Sequence, residues 1–222
     1  MKSEATVFVV DDDASIREAV GELAERMNLR SEVHASAEEF LAAYGGFRPG
    51  CIVLAVRGPG AGGLEIQEYL VSTGDTIPLI FLSVSASVPI AVRAMRAGAF
   101  HFLVKPYRED ELWDAVRDAV RLDQQQRDLQ LWRQELNKQL ATLSEKEHEV
   151  LGLVALGKSN QKIASELDLS ERTIQHHRSQ LMKKLKAQSL IDLVYIALAT
   201  SDGHLGYAPI PPGKLEEDAL LV

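Results

Sequence analysis

The sequence predicts an α/β doubly wound domain built on a five-stranded parallel sheet, followed by a small all-α domain. Three observations carry this reading. Strand and helix patterns alternate over the first ~120 residues, five of each, so helical crossovers join parallel strands. From Arg108 the helical pattern then runs without Gly or Pro to about Ala141. Beyond Thr142, short helical stretches are marked off by capping residues and turns.

The elements follow in order. A strand from Thr6 to Val10 stops at Asp11-Asp12-Asp13. A helix from about Ala14 to Met27 places Ile16, Val20, Leu23 and Met27 at helical spacing. A short strand spans about Arg30 to His34. Ser36, with Glu39 three residues on, forms a capping box that opens the second helix, and Gly45-Gly46 ends it. The next strand, Cys51 to Val56, ends in Ala55-Val56-Arg57 and a glycine-rich loop, Gly58 to Gly63. A helix from Leu64 to Val71, a strand from Pro78 to Ser83 and a helix from Val88 to Ala97 come next. A strand from Phe100 to Val104 leads into Lys105-Pro106 and completes a domain over residues 1–121.

Residues 122–141 form a helical linker. Leu122, Leu129, Leu136 and Leu143 recur every seven residues, with Trp132 on a neighbouring stripe. That spacing serves a coiled-coil seam or an amphipathic linker packed on its own domain equally well. In the second domain, residues 142–200, Ser144 and Glu147 make a capping box and Gly157 is placed as a C-cap. Ser159 caps a short helix to Leu167, Asp168-Leu169 turn, and Ser170 caps a longer helix to about Leu185. A last helix, Ser189 to Thr200, carries Leu190, Leu193, Val194 and Leu198 on one face. Residues 201–222, rich in Gly, Pro and acid, read as a flexible acidic tail.

Charge is unevenly distributed. The chain has a net charge of −8 over 222 residues. Residues 1–121 hold 12 basic and 18 acidic side chains, whereas residues 141–200 hold 8 and 7. Within 171–186, Arg172, Arg178, Lys183, Lys184 and Lys186 face Glu171 alone, which marks one face for a polyanion. Cys51 is the only cysteine, so intrachain disulfides are excluded, in keeping with a reducing cytoplasm. No apolar stretch approaches the ~20 residues that span a bilayer, and the N-terminal run is too short for a signal peptide. No membrane association is expected, and the expected location is cytoplasmic.

Sites in open parallel sheets form at the carboxyl ends of the strands. Asp11, Asp12, Ser83 and Lys105 therefore converge on the end of the strand that carries Ala55. An alanine methyl is no nucleophile, so acceptor chemistry at that position is excluded. The loop Gly58 to Gly63 lacks the Lys-Ser/Thr ending of a P-loop and reads as close-approaching backbone. No Ser-His-Asp, metal or paired-carboxylate constellation stands elsewhere, so the expectation is a protein that is not an enzyme and carries no cofactor or metal.

In the second domain, a short helix, a tight turn and a longer capped helix with clustered bases form a helix-turn-helix, whose partner is double-stranded DNA. Ile174, Leu181 and Leu185 bury one face of the longer helix. Gln175, His176, Arg178, Ser179, Met182 and Lys183 are left facing outward. His176-His177 as a metal pair is disfavoured because adjacent helical residues diverge.

The positions Asn160, Ile163, Ala164, Leu167, Thr173, Ile174, His177, Lys184 and Leu185 resemble those of LuxR-type helix-turn-helix domains. With VVDDD, CIVLAVRGPGAGGLEIQ, PLIFLS and AVRAMRAGAFHFLVKP, the chain resembles the FixJ/NarL group of response regulators over about residues 5–200. The resemblance implies a receiver-like fold with flavodoxin-like strand order. It matches Asp11 and Asp12 to the metal-binding acids, Ser83 to the phosphoryl-bonding hydroxyl, Phe102 to the switch aromatic and Lys105 to the phosphoryl-pairing lysine. Ala55 takes the acceptor position, which makes the first domain a pseudo-receiver.

The same resemblance assigns base reading to Gln175, His176 and Ser179. Thr173, His177, Arg178 and Lys184, with the cap Ser170, would meet phosphate or support the helix. Gln175 pairs with adenine, where a basic residue would favour guanine. The expected function is sequence-specific transcription regulation by a homodimer, controlled without aspartyl phosphorylation through a partner protein or a small ligand at the receiver. The alternatives are a signalling adaptor that sequesters other proteins and a regulator phosphorylated at a substitute residue.

Overall fold

A computed structural model of the chain describes residues 4–56, 62–85 and 87–200, without the side chains of residues 199 and 200. The glycine-rich loop, apart from Gly62 and Gly63, and the acidic tail lie outside the described residues. The chain divides into two units, Met1–Arg127 and Asp128–Val222.

The first unit is a five-stranded parallel sheet in the order β2-β1-β3-β4-β5, as the sequence predicts. Its strands are β1 Thr6–Val10, β2 Arg30–His34, β3 Gly50–Ala55, β4 Leu79–Ser83 and β5 His101–Val104. The crossovers are α1 Ala14–Arg26, α2 Ala37–Ala43, α3 Gly63–Thr73 and α4 Val88–Arg96, and α5 Glu109–Leu140 follows β5. Strands β1, β3 and β4 read as apolar runs because helices cover both faces of the sheet there, whereas the edge strand β2 is polar and mostly exposed. Val7 and Val9 of β1, Cys51 and Val53 of β3, and Ile80 and Leu82 of β4 share one core with Val20 and Leu23 of α1 and Leu112 and Val116 of α5. The alternate residues Phe8, Ile52, Leu54 and Phe81 join Phe40 of α2, Ile66 of α3 and Ala94 of α4 on the other side.

Strand β3 is one residue out from the predicted Cys51–Val56. It begins at Gly50, which pairs with Thr6 in register. Gly50 has φ of +138°, and a Cβ there would stand 1.8 Å from the Thr6 carbonyl oxygen. Only glycine fits this position.

The linker expected over 122–141 is not a separate element. Helix α5 runs unbroken, and its residues up to Arg127 belong to the first unit. The leucine stripe divides in the same way: Leu136 and Leu143 are buried in the core of the second unit, with Trp132 and Leu140 against it. Own-domain packing is therefore the role of that half of the stripe, and a seam through Leu136 and Leu143 is excluded.

The second unit holds α6 Glu145–Ala155, α7 Asn160–Leu167, α8 Glu171–Lys184 and α9 Leu190–Thr200. Ser144, Ser159 and Ser170 each accept a backbone amide three residues on, so each cap is where the sequence puts it. Gly157 at φ +70° and Asp168 at φ +54° turn the chain after α6 and α7. A short Asp side chain tolerates this left-handed conformation. Val150, Ile163, Ile174, Leu181 and Leu193 meet at the centre.

Candidate functional site

Two sites emerge, one in each unit. Parallel register brings the ends of β1, β3 and β4 level, since Val10 pairs with Leu54 and Ala55 with Leu82. A cavity of about 350 Å³ opens there, lined among others by Asp11, Asp12, Ala55, Ser83, Ile90 and Lys105. The expected convergence on Ala55 is therefore present in the geometry.

The charges in the cavity are mostly committed. Lys105 Nζ donates to Asp11 Oδ2 at 2.7 Å, with the Asp11 side chain 2% exposed. Asp11 Oδ1 accepts from the Asp13 amide at 3.0 Å. The Arg17 guanidinium donates to the carbonyls of Asp11 and Asp12 at 2.7 and 3.0 Å, a brace that the sequence reading did not include. Of the two acids, Asp11 forms the ion pair with Lys105, whereas Asp12 is exposed at the rim.

Asp13 is a helix cap rather than a cavity acid. It accepts from the Ser15 hydroxyl and amide, and those bonds hold its carboxyl below the usual range. Ser83 Oγ donates to the Ser85 carbonyl at 2.9 Å and also accepts the Ser85 amide, so its hydroxyl is engaged by its own loop. Phe102 lies with its ring centroid 6.2 Å from that of Phe81, against the α2–α4 core.

The second site is the outer face of α8. Ser170 Oγ accepts the Thr173 amide at 3.1 Å and lies 2.8 Å from Thr173 Oγ1, so both hydroxyls fix the start of the helix. Gln175, His176 and Ser179 are exposed along it. Gln175 and Ser179 have no side-chain hydrogen-bond partner among the described residues. His177 is half-buried, its ring 6.2 Å from that of His176 in an edge arrangement. Arg178 Nη1 donates to Asn160 Oδ1 at 2.5 Å, which ties α8 to α7.

One expectation on this helix is corrected. Met182 is partly buried against the core rather than outward, because it lies three residues, about one helical turn, before the buried Leu185. Lys184 Nζ donates to Glu147 Oε2 at 2.6 Å and to the Thr142 carbonyl at 3.1 Å, which is the helix-supporting alternative of the two that the resemblance leaves open. Glu147 is buried, and the Lys184 hydrogen bond foremost holds its carboxyl below its ordinary value. The capping-box glutamate is thus also an ion-pair partner, a role that its i+3 spacing from Ser144 gives no sign of. Arg172 and Lys183 remain exposed, with no ion pair among the described residues.

Among known proteins, the receiver-domain family of response regulators matches residues 7–117, and the luxR family of bacterial regulatory proteins matches residues 141–197. The response regulator protein TmoT of Ectopseudomonas mendocina is 39% identical, over 90% of each chain. The transcriptional regulatory protein FixJ of Bradyrhizobium diazoefficiens is 34% identical, over 89% of this chain and 97% of its own. The solved structure of the response regulator StyR superposes with a TM-score of 0.76 at 37% identity, covering 89% of this chain and all of that one. The chain belongs to the response-regulator family of transcription regulators, pairing a receiver domain with a LuxR-type DNA-binding domain.

Proposed function

We propose that this regulator is switched without aspartyl phosphorylation. The observation that carries this reading is Ala55 at the end of β3, on the floor of the cavity where the resemblance puts the acceptor carboxylate. A methyl group supplies no oxygen nucleophile. Divalent magnesium, which the receiver family implies, wants several hard oxygen ligands. Asp11 is already bonded to Lys105 and Ala55 offers none, so this donor set does not fit the ion. The hydroxyl of Ser83 is held by Ser85, which argues against it as a substitute acceptor.

In this reading the protein binds DNA through α8, with Gln175, His176 and Ser179 as base readers. It acts as a homodimer in the cytoplasm and catalyses no reaction. The apolar side chains of Val88, Val92 and Met95 on α4 and Val104 on β5 are exposed, and they support self-association through that face. Input comes from a partner protein or a small ligand at the receiver.

The experiment is DNA titration with and without acetyl phosphate and Mg²⁺, on a duplex that the protein selects from a random-sequence pool. Unchanged affinity and unchanged oligomeric state are expected. A shift in either sinks the reading. An absence of DNA binding at any salt would favour the sequestering adaptor.

A further inference from the structure

Several basic side chains of the second unit are engaged by acids. Lys146 pairs with Glu149, Lys158 with Glu166, Lys184 with Glu147 and Lys186 with Glu135. Each such pair cancels a charge. Arg178 is fixed differently. Its Nη1 donates at 2.5 Å to Oδ1 of Asn160, which is a neutral amide. Among the described residues no carboxylate pairs with Arg178, and its Nε and Nη2 take no partner. The guanidinium is held on one side with its charge intact and other donors open.

The packing of two helices decides where this tie falls. Ile163 and Ala164 of α7 share a core with Ile174 and Leu181 of α8. Asn160 is the first residue of α7, directly after the cap Ser159. The start of α7 thus meets Arg178, although 18 residues separate the two in the chain. On α8, Arg178 follows Gln175 by three residues and precedes Ser179 by one, so it flanks the exposed side that they present. In a helix-turn-helix on DNA, the first helix crosses the backbone while the second enters the groove. A planar guanidinium fork suits a phosphate at that crossing.

We propose that Asn160 is a positioning residue for DNA binding, holding the Arg178 guanidinium towards a backbone phosphate beside the bases that α8 reads. The inference rests on the reading of α8 as the DNA-binding helix. An arginine already set in place loses less side-chain freedom when the phosphate arrives. A neutral partner serves this end where an acid would not, since an acid would spend the charge within the protein.

The test uses the full chain and two duplexes, one selected by the wild type from a random-sequence pool and one scrambled, each titrated at several salt concentrations. Asn160→Ala should weaken binding to both duplexes alike, by about three- to tenfold. In an Arg178→Ala background the same change should cost less than about twofold, because the group that it positions is gone. Asn160→Asp gives Arg178 a carboxylate partner, and it should lower the slope of log affinity against log salt by about 1, as Arg178→Ala does. An acid in the first turn of a helix is favourable, so Asn160→Asp keeps the fold and carries the test even if Asn160→Ala unfolds.

An unchanged salt slope in Asn160→Asp would overturn the proposal. Equal losses for Asn160→Ala with and without Arg178 would reduce the bond to a tie between helices and overturn it too. So would a loss confined to the selected duplex, which would make Asn160 part of sequence reading. Failure of the underlying reading shows separately, as a wild type that binds neither duplex at any salt, and the proposal falls with it.

Discussion

Lys105 Nζ stands 2.7 Å from Asp11 Oδ2, although β3 and β4 separate the strands that these residues follow. The lysine reaches across the ends of two intervening strands, and at the end of β3 Ala55 presents a methyl where a carboxylate would compete for it. With Asp11 also held by the Asp13 amide and its backbone braced by Arg17, the acid has no oxygen left unengaged. The pocket is thus an internally neutralised pair beside an exposed Asp12.

The Glu147–Lys184 pair makes the second domain acid-sensitive. The folded-state carboxyl of Glu147 lies below its ordinary 4.5, so the pair contributes stability that is fully present above that value. The contribution is lost as pH falls through the lowered folded value. Lys184→Ala should cost about 1–2 kcal/mol near neutral pH while leaving the slope of DNA affinity against salt unchanged. Lys183→Ala, which removes an exposed cation, should reduce that slope by about 1 with little effect on stability. Chemical denaturation and salt titrations check both; a salt-slope change for Lys184→Ala would contradict the assignment.

Base reading by Gln175 has a different signature. Gln175→Ala should cost roughly 1–3 kcal/mol at one base pair of the selected duplex and little on scrambled DNA. Binding to a panel of single-base variants decides it, and equal loss on every sequence would remove Gln175 from the readers.

Gly50→Ala should destabilise the first unit by more than about 3 kcal/mol, because the added Cβ meets the Thr6 backbone and φ is unfavourable. Urea unfolding measures the loss. A change under about 1 kcal/mol would mean that β1 and β3 separate easily here.

How far these features could be read beforehand depends on how local their causes are. Strands β1, β3 and β4 were legible because a parallel sheet covered on both faces writes its inner strands as short apolar runs. The caps Ser36, Ser144, Ser159 and Ser170 were legible because their partners lie three residues away. The leucine stripe was ambiguous in principle, since one helical spacing serves a seam and a core alike. The partners of Lys184 and Asp123 were not legible: Glu147 and Gly50 lie 37 and 73 residues away in the chain. Only the packed fold brings them into contact, and so the bonds of Asp123 to Gly50 and of Lys184 to Glu147 appear only there.

Self-association should not need phosphate. Light scattering at micromolar concentration should show a dimer for the wild type, and Val92→Asp, which places a charge on the exposed apolar face of α4, should shift it to monomer. A wild type that stays monomeric with and without DNA would contradict this.

Intact-mass measurement after incubation with acetyl phosphate and Mg²⁺ tests the central claim most directly. The wild-type chain should gain no phosphoryl group, while Ala55→Asp, which supplies a carboxylate at the end of β3, should gain some labelling. Stoichiometric, Mg²⁺-dependent addition of one phosphoryl group to the wild type would contradict the account.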